Sequence, residues 1–427
     1  MLKKNTRMLS VLVSALGMFL ASSAIAESKD AGKFEWTTDS KSAKKLISEI
    51  QARVENFQLG GGTLEVAREL VAADPDFAMG VYYLSAVAPS PEREESLAKA
   101  AKLAANASEG ERRFIEAMVK VRANGGASFQ DGIPLLESLG EDYPQERLVP
   151  MLLGQIYQGL GNSDKARASF GRALQIGPPS NRARSFLAND DLLHGKYASA
   201  RGTFEEVAED LPEDAAAAAI RYGIAFSHLY EGNDTDAIEA LSTFVAEYKD
   251  SGAAAGFPEV FIWNSIARIH LENGRPEKAL KAYKKGYESV PDSSLPEDQK
   301  TIWYGRSKHG TSRALAKLGK FDDAWTYAGE LHEMIESGGE NGAQFMPAYH
   351  YLAGYLKLEE GDAEKAAEHL KQANPNDPFH TLLLARALSK LGDEKGAKEA
   401  YQTIVDSNNN GLERALAFPE AKKHVAG

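Results

Sequence analysis

Histidine is the residue type of this chain best suited to catalysis or metal binding, since the chain has no cysteine. Two histidines that bind one metal ion from the same helix are typically four residues apart. Neighbouring histidines in this sequence are at least 11 residues apart, so none has this spacing. They stand at positions 194, 228, 270, 309, 332, 350, 369, 380 and 424. The sequence also has no G-x-S-x-G or H-E-x-x-H motif and no phosphate-binding glycine loop. We therefore expect no catalytic residues, no metal site and no cofactor, and we predict that the chain is not an enzyme.

A repeated pair of small residues organises the chain instead. Seven glycines are each followed five residues later by an alanine, in the pairs Gly161/Ala166, Gly195/Ala200, Gly232/Ala237, Gly274/Ala279, Gly319/Ala324, Gly361/Ala366 and Gly392/Ala397. Successive glycines are 34, 37, 42, 45, 42 and 31 residues apart, which is the period of helix–turn–helix repeats with small insertions. Glycine permits a tight bend, and small residues let two antiparallel helices approach closely. The pattern predicts stacked helix pairs, an architecture that presents a binding surface.

The segment 147–180 shows one unit in full. Its pattern residues are Leu153, Gly154, Tyr157, Gly161, Ala166, Phe170, Ala173 and Pro178. They resemble the tetratricopeptide repeat, whose pattern is W-x2-L-G-x2-Y, then A-x3-F, then P. The next unit follows without a gap and keeps the same phase from Leu187 to Pro212. The resemblance implies an all-α fold, a right-handed α-solenoid of stacked helix-turn-helix repeats.

The strength of the pattern divides the chain into regions. Segment 147–411 is predicted to hold an array of about seven repeats, and segment 41–146 to hold degenerate helix pairs of the same kind. Segment 27–40 is polar and is predicted to be a disordered linker. At the other end, segment 412–427 is predicted to form a terminal helix and tail that cap the apolar face of the last repeat.

The first 26 residues have the composition of a cleaved secretory signal. Lys3, Lys4 and Arg7 precede an apolar run over 8–20, and Ala24-Ile25-Ala26 follows as a small-residue cleavage site. The apolar run is too short to span a bilayer comfortably. We therefore predict cleavage after Ala26 and a periplasmic or secreted protein with no integral membrane span.

The charge of the chain limits its partners. There are 49 Lys and Arg against 61 Asp and Glu, a net charge of −12, and cleavage after Ala26 would make it −15 by removing three cations. Such a chain is poorly suited to bind nucleic acid or an anionic membrane surface. Protein partners are expected, and the sequence does not specify an oligomeric state.

The resemblance implies which residues contact a partner. In proteins with this repeat, the first helix of each pair lines a concave groove, and contacts come from the residue after the Leu-Gly pair and from the residue four earlier. In the first unit these sites are Gln155 and Met151. In the later units the implied partner-binding residues are Tyr222, Phe226, Asn264, Arg268, His309, Arg313, Tyr351, Tyr355 and Arg386. The two-lysine, two-asparagine clamp of the chaperone-binding members is absent, because no lysine occupies either site.

A basic and aromatic groove in an acidic chain indicates an acidic ligand. Arginine binds carboxylates through two parallel hydrogen bonds, and tyrosine and phenylalanine provide apolar contact. We expect the three guanidinium groups to form a positive strip that binds an extended peptide with acidic residues or a free C-terminus. The other interpretation is that the aromatic residues pack against neighbouring helices and the arginines pair with local acids.

Two functions remain open from the sequence. The favoured one is a non-enzymatic scaffold or adaptor of the bacterial cell envelope that holds a partner protein in the groove. The alternative is a helical-array enzyme that acts on a cell-wall or carbohydrate substrate through a carboxylate pair. Asp191 is an unusual acid at a site where the repeat prefers an aromatic residue. It either marks a functional gap in the array or pairs with Arg182, Arg184 or Lys196.

Overall fold

The computed structural model describes residues 32–58, 60–122, 129–177, 180–212, 218–250, 258–293 and 295–426. Within these ranges the chain is an array of stacked helix pairs, which confirms the predicted all-helical fold. The predicted secretory signal at 1–26 lies outside the described residues. No helix of the described ranges has the length and apolar character that crossing a bilayer requires.

Five helix pairs form the first half of the array. Their helices are α1 (Lys41–Glu55), α2 (Gly61–Ala73), α3 (Ala78–Val87), α4 (Glu92–Leu103), α5 (Glu109–Arg122), α6 (Phe129–Asp142), α7 (Leu148–Gly159), α8 (Ser163–Ile176), α9 (Asn181–Leu193) and α10 (Tyr197–Asp210). Each odd-numbered helix here pairs with the helix that follows it.

Five further pairs, a short helix and a terminal helix form the second half. Their helices are α11 (Ala218–Tyr230), α12 (Asp234–Asp250), α13 (Glu259–Glu272), α14 (Pro276–Glu288), α15 (Glu297–Lys317), α16 (Phe321–Ser337), α17 (Gly339–Ala343), α18 (Met346–Glu360), α19 (Ala363–Leu370), α20 (Pro378–Lys390), α21 (Glu394–Asp406) and α22 (Leu412–Ala426). The pairs are α11 with α12, α13 with α14, α15 with α16, α18 with α19 and α20 with α21.

The seven repeat glycines form one kind of turn. Their φ angles lie between +70° and +88°, a left-handed conformation that is costly for other residues. At each turn the residue after the glycine donates its backbone N–H to the carbonyl five residues before it, as Asn162 does to Tyr157 at 2.8 Å. This bond closes the end of the first helix of the pair. The alanine five residues after each glycine is at most 3% exposed.

A second set of glycines sets the distance between helices. A Cβ added at Gly154 would lie 2.5 Å from the ring of Phe170 in the same repeat, and one at Gly223 would lie 2.6 Å from Phe204 in the preceding repeat. These separations are far below van der Waals contact. The helices can therefore pack this closely only because glycine has no side chain. The apolar core runs between the two helix layers from repeat to repeat.

The segment before α1 does not behave as predicted. We expected 27–40 to be a disordered linker, and this is wrong for residues 32–40. Phe34 is 6% exposed and packs on Phe114 of α5, and Thr37 donates its N–H to Glu111 at 3.1 Å. The aromatic side chains of this segment supply apolar contact that its polar composition concealed. Residues 27–31 lie outside the described residues.

Both ends of the array fold back onto the concave side. Helix α22 packs on α20 and α21 of the last pair, and it also contacts α11 and α13. Helix α1 contacts both α3 and α9. Gln51 of α1 donates to Tyr83 Oη at 3.0 Å, and Asn56, which follows α1, accepts from Asn181 of α9 at 3.0 Å. The groove is therefore bounded by elements from the two ends of the described chain.

Replacing Gly154 with alanine should lower the free energy of unfolding by about 1–3 kcal/mol, because the new methyl group overlaps a ring with no room to move. Phe170 is 1% exposed and is stacked on Phe186. Gly171 in α8 is the matched control, since nothing lies within 4 Å of its added Cβ. Gly171→Ala should raise stability by up to about 1 kcal/mol through helix propensity. Chemical denaturation measures both, and equal effects of the two changes would contradict this packing.

Candidate binding surface

The structure places the nine predicted partner-binding residues on five neighbouring helices of one face. Tyr222 and Phe226 lie on α11, Asn264 and Arg268 on α13, and His309 and Arg313 on α15. Tyr351 and Tyr355 lie on α18, and Arg386 lies on α20. Contacts join successive helices. Tyr222 Oη is 3.1 Å from Ser265 Oγ on α13, and Arg313 donates to Tyr351 Oη at 2.7 Å.

Most of these side chains are buried. Arg313 is 3% exposed, Tyr351 6% and Arg268 7%, and Phe226, His309 and Tyr355 are also buried. Tyr222, Asn264 and Arg386 are partly buried. The expectation of an open positive strip is therefore wrong. Sequence phase assigns these residues to the first helices of successive pairs, but it does not show what covers them.

Acids of the chain itself neutralise the three arginines. Arg386 binds Glu420 of α22 through two hydrogen bonds of 2.9 and 2.6 Å. Arg268 lies 3.4 Å from Glu413 of α22, and Arg313 lies 3.5 Å from Glu272 of α13. Two of these three carboxylates come from the terminal helix. The C-terminal half of the groove thus holds the terminal helix of the same chain, through two of its carboxylates.

Helix α22 is held by apolar and polar contacts as well. Arg414 is 2% exposed, donates to Tyr230 Oη at 2.9 Å and stands 4.2 Å over the Phe418 ring. Phe418 meets the Tyr230 ring edge-on at 5.6 Å. Just before the helix, Asn410 donates to Asn189 of α9 at 2.7 Å. These contacts make α22 part of the folded core.

Burial of charge perturbs the ionisable groups beneath α22. Burial lowers the pKa of His309 far below its ordinary value, and the positive charges of Arg313 and Arg268 lower it further. Burial and the same two arginines lower the pKa of His380 to about 4. Burial also disfavours charged Arg268, but nearby Tyr351, Glu413 and Glu272 outweigh it and raise the pKa of that guanidinium. Both histidines are therefore neutral at pH 7.

The polar clusters noted in the sequence have local partners. Asp190 and Asp191 both bind the guanidinium of Arg167, and Asp191 also lies 3.4 Å from Lys196. Of the three cations that the sequence offered, Lys196 is therefore a partner of Asp191. These two carboxylates are bound to a cation and do not form a free acid pair.

Two histidines that are distant in sequence meet in the fold. His350 Nδ1 of α18 is 3.0 Å from His369 Nδ1 of α19, a contact between helices that helical spacing cannot reveal. Across the described ranges, no three His, Asp or Glu side chains converge in a way that would hold a metal ion.

The N-terminal half of the groove is open. Helix α1 and the first helices α3, α5, α7 and α9 surround a cavity of about 1590 Å³. Its walls combine apolar and polar side chains. Met151 and Gln155, the two groove positions predicted in the first repeat, are among them. Tyr82, Arg122 and Arg182 line it as well.

Sequence reasoning missed these last three residues. Tyr82 and Arg122 belong to the degenerate pairs, where no repeat pattern assigns a groove position. The sequence indicates Arg182 only as a partner of Asp191, whose cations in the fold are Arg167 and Lys196. The spacing of first helices by roughly one repeat was the signal that could have extended the groove upstream.

Replacing Arg313 with glutamine should lower the free energy of unfolding by about 3–5 kcal/mol, the range for breaking a buried ion pair. The change leaves Glu272, whose side chain is 9% exposed, without its cation. It also removes the donor to the hydroxyls of Tyr351 and Tyr283. Arg68→Gln is the control, because Arg68 pairs with Glu92 on the surface. Its melting temperature should stay close to that of the parent, and a similar midpoint for Arg313→Gln would refute the structural role.

Acid should destabilise the protein through His380. Because its folded pKa of about 4 lies below the ordinary value near 6.5, the unfolded chain binds the proton first as the pH falls. This contribution to stability is complete above pH 6.5 and is lost between pH 6.5 and 4, by up to about 3 kcal/mol. The loss of melting temperature from pH 7 to pH 4.5 should therefore be smaller in His380→Gln. His194→Gln is the control, since the His194 side chain is 51% exposed. An identical pH profile for the parent and His380→Gln would be inconsistent with this assignment.

Comparisons with known proteins agree with the helix pairs. Family models described as tetratricopeptide repeat match residues 151–178, 222–294 and 357–418. No curated protein matches the sequence.

Several solved structures resemble parts of the array. The type IV pilus biogenesis factor PilW is 18% identical, with a TM-score of 0.41, over 55% of this chain and 98% of that chain. A tetratricopeptide repeat protein from Parabacteroides merdae is 16% identical, with a TM-score of 0.38, over 64% and 99% of the two chains. The C-terminal part of such a protein from Cytophaga hutchinsonii is 14% identical, with a TM-score of 0.42, over 67% and 98%.

The helix pairs, the left-handed turn glycines and the three matched segments lead to one conclusion. Proteins built from this repeat are typically non-enzymatic and bind other proteins. Three segments of this chain therefore carry tetratricopeptide repeats, which supports the role of a protein–protein interaction scaffold.

Proposed function

We propose that this scaffold works in a bacterial cell envelope and holds an extended or acidic segment of a partner protein in its concave groove. The N-terminal half of the groove is the part available to a partner. The C-terminal half holds α22 through Glu413 and Glu420. Of the nine predicted residues, Arg268 and Arg386 therefore bind the chain's own terminal helix, and Arg313 binds Glu272 of α13.

The open cavity is the observation on which this proposal depends. At about 1590 Å³ it exceeds the size of ordinary small-molecule sites, and it is long enough to touch four successive first helices. Trp36, Tyr83 and Leu152 provide apolar walls, and Gln51 and Gln155 provide hydrogen-bonding groups. Aromatic anchors with a few polar groups are the usual composition of a protein-binding surface.

The contacts of α22 support an acidic ligand. The concave face accepts carboxylates on arginine at two places, Glu413 on Arg268 and Glu420 on Arg386. The contacts of α22 thus indicate that this face binds carboxylate groups through arginine.

The envelope location is supported by the N-terminal sequence. Three cations, an apolar run and a small-residue site precede Glu27, which is the pattern of a cleaved secretory signal. The acidic composition also favours protein partners over nucleic acid.

Site-specific photocrosslinking in cells tests the proposal. A photoreactive phenylalanine analogue replaces Ser48 or Gln155, which line the cavity. The controls replace Val119 and Leu391, exposed apolar residues outside it. We expect one discrete adduct from the cavity positions and none from the controls.

The crosslinked chain also reports on export. N-terminal sequencing of the envelope fraction should begin at Glu27, and a mature chain that begins at Met1 would disprove the cleavage. Adducts of equal yield at all four positions, or none at any position, would disprove the groove assignment.

A further inference from the structure

Two arginines of the open cavity lie near the same phenol. Arg122 ends α5, and its guanidinium stands 5.3 Å over the ring of Tyr82. Arg182 lies at the start of α9, and both positive charges act on the pKa of Tyr82, which burial otherwise raises. Tyr82 is 3% exposed, and Tyr82, Arg122 and Arg182 all line the cavity.

The chain provides neither guanidinium with a carboxylate. Arg122 donates to Ser85 Oγ at 3.2 Å, and Arg182 donates to Gln155 Oε1 at 3.4 Å. In the part of the chain that the structure describes, no Asp or Glu oxygen lies within 4.0 Å of either one. Their hydrogen bonds are to neutral groups, which do not compensate a charge.

The acids of the cavity wall are engaged elsewhere. Glu55 pairs with Arg147, Glu109 with Arg112, and Asp142 with Arg113. Glu146 accepts backbone N–H groups from Phe34 and Leu148, and Glu35 is exposed. Arg122 and Arg182 therefore keep an uncompensated positive charge within a chain of net charge −12.

Keeping the charge of Arg182 is unfavourable for folding. Burial lowers the pKa of Arg182, which reflects the free energy lost when a cation leaves water without a counter-ion. A bound carboxylate would recover that free energy through charge-assisted hydrogen bonds. The apolar walls at Trp36 and Leu152 would contact the rest of such a ligand.

We propose that Arg122 and Arg182 form an anion-binding pair that holds a side-chain carboxylate from an acidic segment of the partner protein. The chain's other arginine contacts with α22 support a side-chain source, because Arg268 and Arg386 there bind the side chains of Glu413 and Glu420. This inference rests on the proposed function, since it names the chemistry of the segment that the groove holds. Arg122 lies upstream of the three segments that match the repeat family, and Arg182 lies between two of them.

Selection from random peptide libraries tests the pair on the full mature chain. The libraries consist of decapeptides with either an amidated or a free C-terminus, and binding of selected peptides is measured by fluorescence anisotropy. We expect peptides from the amidated library to be enriched in Asp and Glu. Their affinity should fall at least tenfold for Arg122→Gln/Arg182→Gln and when their acids are changed to amides.

A matched variant controls for overall charge. Arg68→Gln/Lys99→Gln also removes two cations from the N-terminal half, but both residues lie outside the cavity, and its affinity should stay within twofold. Thermal melting separates binding from folding. The midpoint of Arg122→Gln/Arg182→Gln should equal or exceed that of the parent, because the change removes uncompensated charges. A lower midpoint would assign the pair a structural role and overturn the proposal.

The outcomes distinguish this inference from the proposed function. Peptides that bind the parent, lose binding when Gln155→Trp fills the cavity, and show no acidic enrichment would overturn the anion pair and leave the groove function intact. Selection from the free-acid library alone would overturn the side-chain source. Absence of binding from both libraries would overturn the pair and the groove function together.

Discussion

The close approach of helices over glycine is the contact on which the rest of this structure depends. At Gly154, Gly223, Gly310 and Gly354 an added Cβ would lie within 2.5–2.6 Å of a large side chain, namely Phe170, Phe204, Tyr283 or Leu370. Two of these contacts join helices of one repeat and two join consecutive repeats. The same small-to-large packing therefore builds each hairpin and stacks it on its neighbour. No hairpin buries its apolar face alone, so the array is stable only as a stack.

Stacking produces the concave face, and the ends of the array then occupy parts of it. Helix α22 returns to α11 and α13, and α1 reaches α9, contacts that span much of the sequence. The return of α22 combines apolar packing at Phe418 with ion pairs at Glu413 and Glu420. Each ion pair crosses from the terminal helix to the first helix of a repeat. The groove is consequently filled in one half and open in the other.

Arginine has different roles in the two halves. Arg268, Arg313 and Arg386 are paired with carboxylates of the chain and contribute to the stability of the folded state. Arg122 and Arg182 hydrogen-bond only to neutral groups, and the burial of Arg182 is unfavourable for folding. A buried cation without a partner is costly, and such groups are characteristic of binding sites whose ligand supplies the missing charge. The electrostatic difference between the halves therefore indicates where a partner would bind.

The sequence by itself determined the repeat and its turns, because these features are local and recur at a fixed phase. Seven glycines predicted seven bends, and all seven have the left-handed φ that a bend of this type requires. The nine predicted groove positions fall on the first helices of successive pairs for the same reason. The sequence could not show that Arg313 is buried, that residues 32–40 pack on α5, or that Arg122 and Arg182 line one cavity. Those facts depend on the accumulated rotation of many repeats and on which helices the terminal helices pack against. No local sequence pattern encodes the rotation or this packing.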